Sequence, residues 1–478
     1  MLTNLEWLQE GKQFPPKGEE ARLARYIQNK LIFENEHNKV YTDQLKRIER
    51  VIGNMSDVIS FPIVLNFQKK ISLKTADFLF TEPPILTGAA AAQTETLNQI
   101  KIESELFDIG YQSVLDFSML GTGLFKIDVV NDQETQGKKG TISISNPQYL
   151  FTIVEKEDLK KTTQYVLAWT YVVKETDSHK DENLIAYIHS KGTYERREYT
   201  MTREGKIGNL IEATPAKKTG LDDFAVIPFH NVLTSARIYG IDDYADIDSI
   251  VSELEIRTAQ ISKILDVFAS PTVSGSKAAL SKRENGEYYF PPGNFYGRGS
   301  TDEPPLEYIT WDADLKSNFD QIERLINYLS TISEMGATLF NAELNFGNAP
   351  SGTALRMLYL NVLAKISRAR RSIDTGLKKA LSLASSIGYS KIEIKDIAIT
   401  WQDGLPNDPK EIAEIITSRT AGLQTLSRKT ALKKYDGLTE SAAEEELEVI
   451  QEEEMAAMPM AEPPTGEPDN TEDDPGEE

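Results

Sequence analysis

There is no cysteine anywhere in the 478 residues, and there are only four histidines: His37, His179, His189 and His230. The first absence excludes disulfides, cysteine nucleophiles and thiolate zinc sites, and it fits assembly in a reducing cytoplasm. None of the histidines stands in an HExxH or other metal-ligand spacing, and none accompanies a Gly-x-Ser-x-Gly elbow, so all four read as structural. Long apolar runs are missing too. The longest candidate, Ile85 to Ala92, is short and contains Gly88, whereas crossing a bilayer takes roughly 20 residues; no membrane partner is expected. Residues 1–11 carry Glu6 and Glu10 and no apolar stretch, which does not read as a secretory signal. A Walker A loop is absent as well: Gly121-Thr122-Gly123-Leu124-Phe125-Lys126 precedes a strand and lacks the Gly-Lys-Ser/Thr ending that cradles phosphate. No cofactor, metal or catalytic residue is expected, and the chain does not read as an enzyme.

Hydrophobic residues make up 40% and charged residues 26%, enough for a sizeable core in two or three domains. Of the net charge of −22, 15 negative charges fall in residues 441–478, which hold no Lys or Arg, so the other 440 residues carry −7. A protein that grips DNA tightly shows a net basic face, because phosphate neutralisation dominates affinity. This chain is not built to grip DNA, although DNA could slide past it.

Apolar 3–4 spacing predicts helices over 16–55, 62–79 and 94–120. Short strands follow over 124–130, 165–173, 184–189, 193–200 and 224–229, making 121–235 β-rich. From Ile241 to Phe268 a long amphipathic helix is predicted, opened by Asp242 and Asp243, whose charge suits a helix N-terminus. Pro271 ends it, an aromatic and turn-rich insert runs from Val273 to Trp311, and a second amphipathic helix runs from Leu315 to about Gly336. At ~1.5 Å per residue each helix would span roughly 35–40 Å, and together they form a hairpin. Residues 337–350 read as an Asn- and Gly-rich loop. A long basic helix follows from Ser351 to about Ser386, then a strand over 392–399, a helix from Pro409 to about Ala421, a breaker region over 422–437 and a helix from Leu438 to about Met455. The acidic tail beyond has too few apolar residues to offset its ordering entropy.

Two clusters invite chemistry. Asp242, Asp243, Asp246 and Asp248 miss the EF-hand spacing, since Ile250 and Val251 stand where a ligand and the turn glycine are required; a solvated or intersubunit acidic face is the plainer reading. Arg368 and Arg371 share a helix face and either meet phosphate or, with Arg370, enter ion pairs between helices or subunits.

Several segments in order resemble the portal proteins of long-tailed phages. Phe224-Ala225-Val226-Ile227-Pro228-Phe229-His230-Asn231 leading into Tyr239-Gly240-Ile241-Asp242-Asp243-Tyr244 is similar to the family's strand entering its first stem helix. Ser351-Gly352-Thr353-Ala354-Leu355-Arg356 resembles its Ser-Gly-x-Ala motif. Trp401-Gln402-Asp403-Gly404-Leu405-Pro406-Asn407-Asp408, Leu426-Ser427-Arg428-Lys429-Thr430-Ala431 and Gly121 to Asp128 resemble further family segments. The resemblance implies an α+β subunit with a wing (1–240 and 351–405), stem helices (241–270 and 312–336), a small α/β clip (271–311), a tunnel loop (337–350), a helical crown (406–456) and a disordered acidic tail (457–478). It implies a closed ring, usually a dodecamer, at one vertex of the virion capsid, assembled in the host cytoplasm among capsid and scaffold proteins. The ring docks the terminase motor and later the head-completion and tail adaptor proteins while double-stranded DNA passes through. Tyr288, Tyr289, Phe295 and Tyr296 are the expected partner surface of the clip, with a local mini-core as the alternative. Asn341, Glu343, Asn345, Phe346 and Asn348 are expected to face the tunnel, while the apolar side of that loop, Leu339 and Phe340 included, packs on a neighbouring subunit; an ordinary surface loop is the alternative. The competing functions are another head structural protein, such as a scaffold, and a nucleic-acid enzyme.

Overall fold

The computed structural model describes residues 1–50, 62–131, 137–176, 179–269, 315–340, 357–402, 409–421, 424–435 and 440–457, with short pieces at 272–274, 281–282, 286, 288–289 and 307–309. The chain divides into two compact units, Met1–Gly347 with Arg356–Leu405, and Asn348–Leu355 with Pro406–Glu478. Helices combine with sheets whose strand pairs are all antiparallel, an α+β arrangement.

In the first unit the organising element is the helix Leu360–Ser385. Ile366, Ala369, Ile373, Leu377, Ala380, Leu381 and Ala384 recur at helical spacing and are buried. That stripe packs on a three-stranded sheet, Val226–His230 beside Thr122–Asn131 beside Lys138–Ile144, and on the helices Phe67–Phe80 and Ala91–Glu103. A second sheet is a meander of Leu150–Val154, Thr162–Thr176, His179–Ser190, Thr193–Met201 and Ile207–Ala213. Its inner face alternates as a half-buried sheet should, with Val166, Ala168, Leu184, Ala186 and Ile188 packed on Trp7, Leu8 and Leu23.

Several elements stop short of their predicted extents, for identifiable reasons. The predicted helix over 16–55 is three: Glu20–Phe33, His37–Val40 and Gln44–Arg50. Asn35 at φ 70° ends the first in a Schellman motif, with Glu36 N–H on Leu31 O and Asn35 N–H on Ile32 O. The next starts at Phe67 rather than Pro62, because Asn66 caps it by accepting from Lys69 N–H at 2.9 Å. The helix predicted over 94–120 breaks into Ala91–Glu103 and Leu106–Leu120 at Glu105, where φ is 48°. Residues 392–399 hold a 3-10 turn, Ile394–Asp396, and only a short strand, Ala398–Thr400, paired with Ile85–Thr87.

The hairpin arms are Asp248–Ala269 and Lys316–Ile332. At about 1.5 Å per residue they span roughly 33 and 25 Å, less than predicted. Between them Thr272–Ser274 pairs with Glu307–Ile309, zipping the base of the insert, and Ser281–Lys282 pairs with Tyr288–Tyr289.

The second unit contains Pro409–Thr420, Arg428–Tyr435 and Glu440–Ala457. The middle helix lies inside the predicted breaker region. Ser427 starts it by accepting from Thr430 N–H at 3.2 Å, and Lys429 pairs with Glu444 of the last helix at 2.6 Å.

Candidate functional site: the hairpin and its carboxylate anchor

The chain enters the hairpin through Tyr239 to Ile247, and this entry is not helical. Two glycines make it possible. Gly121 caps the preceding helix at φ 76°, and a Cβ on Gly240 would lie 2.0 Å from Gly121 O. The backbones therefore cross in direct contact, which only glycine at both positions allows. The Gly121-Thr122-Gly123 run is a structural crossing of this kind.

Beyond the crossing, Asp242 and Asp243 turn inward instead of opening a helix, which corrects the solvated or intersubunit face expected for them. Asp242 accepts from Tyr244 N–H at 3.1 Å and takes a forked bond from Arg25, 2.7 and 3.2 Å; Arg25 also reaches Asp248 at 2.5 Å. Asp243 accepts from Ser118 Oγ at 2.5 Å and Asn231 Nδ2 at 3.0 Å, and pairs with Lys365 of the long helix at 3.0 Å. Burial works against the Arg25 charge, but its bonds to Asp242 and Asp248 raise its pKa above the ordinary value. Burial raises Asp248, and Arg25 partly offsets it. Tyr244, fully buried, hydrogen-bonds Ser72 at 2.9 Å, and burial raises its hydroxyl pKa. Asp246 remains exposed.

About two turns up the first arm is a second hub. Glu255, 2% exposed, accepts from Gln44 Nε2 at 2.7 Å and Leu65 N–H at 3.0 Å and lies 2.6 Å from His37 Nδ1. Ile48, Ile256 and Ala259 pack beside it, and Arg47 pairs with Glu253 at 2.6 Å. The N-terminal helices thus clasp the arm. Neither hub was anticipated, yet each left a trace. Lys365 lies in the apolar stripe of Val362, Ile366 and Ala369, and Glu255 in that of Val251, Leu254 and Ala259. A charge inside a buried stripe requires a partner.

Of the residues expected to carry function, Tyr288 and Tyr289 form a two-residue strand against Ser281 and Lys282. Phe295, Tyr296, Asn341, Glu343, Asn345, Phe346 and Asn348 lie outside the described residues. Leu339 and Phe340, expected to face a neighbouring subunit, are half-buried against their own chain, with Phe340 edge-on to Phe67 at 5.5 Å and Lys70 donating to Leu339 O. The arginines divide. Arg368 pairs with Glu334, and Arg370 donates to Phe78 O and Gln402 O. His230 meets Thr122 Oγ1 at 3.1 Å, and burial lowers its pKa to about 4.

Every charge in the two hubs is committed to fixing the hairpin's root, so the arrangement is a mechanical anchor. Among the described residues no group of three or more His, Asp or Glu side chains could hold a metal ion, and no helix is long and apolar enough to cross a membrane. No curated protein matches the chain. The phage portal protein family, SPP1 Gp6-like, matches residues 16–460, from the first helix of the clasp through both hubs and the hairpin to the last helix. With its order of strand, anchored hairpin and long helix inside that match, the chain belongs to the SPP1 Gp6-like phage portal proteins.

Proposed function

We propose that this portal subunit closes with its copies into a dodecameric ring at one capsid vertex, through which double-stranded DNA is packed and ejected. Residues 1–240 and 351–405 are assigned to the wing, 241–270 and 312–336 to the stem, 271–311 to the clip, 337–350 to the tunnel loop and 406–456 to the crown. The observation that carries this reading is the rooted hairpin: two long arms leave the body, bracket a strand-zipped insert and return to the helix at the centre of the unit. Such a hairpin, held by buried ion pairs, is a stiff wall element. A mildly acidic body suits a channel that must not trap a polyanion.

The clip, with Tyr288, Tyr289, Phe295 and Tyr296, docks the terminase motor and later the head-completion and tail adaptors; aromatic residues are enriched in interfaces. Capsid and scaffold proteins surround the ring during assembly in the host cytoplasm. Asn341, Glu343, Asn345, Phe346 and Asn348 line the channel, where neutral amides touch DNA without a strong charge trap. Portal proteins are structural, and no chemical step is assigned to this chain. Electron microscopy of the purified protein tests the assignment: rings with a central hole are expected, and monomers or shells would overturn it. Deleting Glu343 to Asn348 should leave rings intact and impair packaging; wild-type packaging would remove these residues from the tunnel.

A further inference from the structure

The second and third strands of the meander outrun their neighbours. Thr162–Thr176 pairs with Leu150–Val154 only through Leu167, and His179–Ser190 pairs with the next strand only from Asn183 onward. Val172–Thr176 and His179–Glu182 therefore continue as a bare two-stranded ribbon, roughly 15 Å long at ~3.3 Å per residue. Such a ribbon is marginal in water unless a third element covers it. It also exposes apolar side chains: Val172 is 44% exposed, and Val173, at a register shift, 57%. From Lys174 to Glu182 the sequence carries two lysines against Glu175, Asp177, Asp181 and Glu182; Glu175 pairs with Lys180 at 2.7 Å, and the stretch keeps a net charge of −2.

The same unit holds a cleft of about 940 Å³ between the meander, the three-stranded sheet and the C-terminal end of the long helix. Its apolar platform is Trp169 stacked on Tyr187, 5.7 Å between centroids and 19° between planes, with Tyr194 stacked on His189 beside it. His189 is 7% exposed, and its Nδ1 has no hydrogen-bond partner among the described residues. Lys126 is neutralised by Asp128 at 3.0 Å, but Lys138 and Lys218 line the cleft exposed and with no ion pair among the described residues. The cleft thus offers two free positive charges, an aromatic floor and one orphaned polar atom.

We propose that in the ring the ribbon Val172–Thr176 with His179–Glu182 of one subunit docks into this cleft of its neighbour. Its valines cover the aromatic platform, and its net negative charge faces Lys138 and Lys218. The inference rests on the ring reading above. Ribbon and cleft are different surfaces, so the contact is head-to-tail, the only kind that propagates around a ring.

Because the chain has no cysteine, cross-linking reads this contact directly. Val173→Cys, Lys138→Cys and Lys218→Cys are made singly, and the first is combined with each of the others; rings are treated with a bis-maleimide and denatured. A ladder of covalent oligomers is expected for a combined variant and only monomers for the single ones. Rings on the grid with monomers alone on the gel would overturn the inference and leave the ring reading standing. If even the unaltered chain forms no rings, both fall. A second arm needs no cross-link. Lys138→Glu with Lys218→Glu should reduce the ring fraction at least several-fold, and adding Glu175→Lys with Glu182→Lys should restore it. An unchanged ring fraction, or a loss without recovery, counts against the docking.

Discussion

Gly240 shows how much of this subunit depends on single residues. Its Cα touches the backbone of Gly121, so the Cβ of Gly240→Ala can be accommodated only by separating the two segments. Overpacking against backbone costs about 1–3 kcal/mol, and the separation would also strain the Asn231 N–H to Gly121 O bond, 2.9 Å. The urea midpoint should fall accordingly; an unchanged midpoint would mean that the two backbones leave room for a Cβ. Two histidines add a pH dependence. Burial, the larger cause, and nearby lysines hold both His189 and His230 at about 4, below the ordinary value near 6.5. The folded state therefore favours the neutral rings. Stability is full above pH 6.5 and is lost as pH falls toward 4, by up to about 3 kcal/mol for each ring at about 1.4 kcal/mol per pH unit. His189→Gln should remove roughly half of that acid slope in denaturation curves taken between pH 7 and 4; an identical slope would rule out His189 as a contributor.

At the scale of elements, Glu255 ties the N-terminal helices to the first arm. Glu255→Ala removes the acceptor of Leu65 N–H and the carboxylate beside His37 Nδ1, and leaves Gln44 Nε2 with only the longer contacts to Ser252, at 3.4 and 3.5 Å. The amides of Gln44–Arg50 should then lose hydrogen-exchange protection while those of the meander keep theirs; uniform loss would instead mark Glu255 as part of the global core. The sequence signals elements of this kind unevenly. The long helix, the two arms and the strands are legible because apolar spacing continues over many residues, as in Ile366 to Ala384. The breaks are not, because each rests on one local choice: Asn35 and Glu105 in left-handed backbone, and Asn66 reaching forward to Lys69. The acidic entry to the hairpin is not legible for a related reason. Asp242 and Asp243 have the composition of a helix start, but Arg25 and Lys365, which turn them inward, lie more than one hundred residues away in sequence. Charge at a helix terminus is a local pattern; charge in an ion pair is a tertiary one.

At the scale of the whole molecule, the subunit has two sides left to cover. On the second arm Ile322, Leu325 and Leu329 belong to the core, and the arm packs on the first. At about 100° per residue, Phe319 falls on one flank of that stripe and Tyr328 with Ile332 on the other. They are 53%, 58% and 46% exposed. Large apolar side chains left open on two flanks of one helix fit a head-to-tail ring, in which every subunit offers unlike faces to its two neighbours. Phe319→Asp should spoil one face and Tyr328→Asp the other. Because both positions are exposed, neither change should move the thermal midpoint of the isolated subunit, and each variant alone should sediment as a monomer. Mixing them should do what neither does alone. A subunit with one intact face meets a partner with the complementary intact face, so a single interface forms and growth stops at the dimer. A dimer peak in sedimentation velocity only in the mixture is the expected result. Rings from either variant alone would show that these flanks are not where the subunits meet.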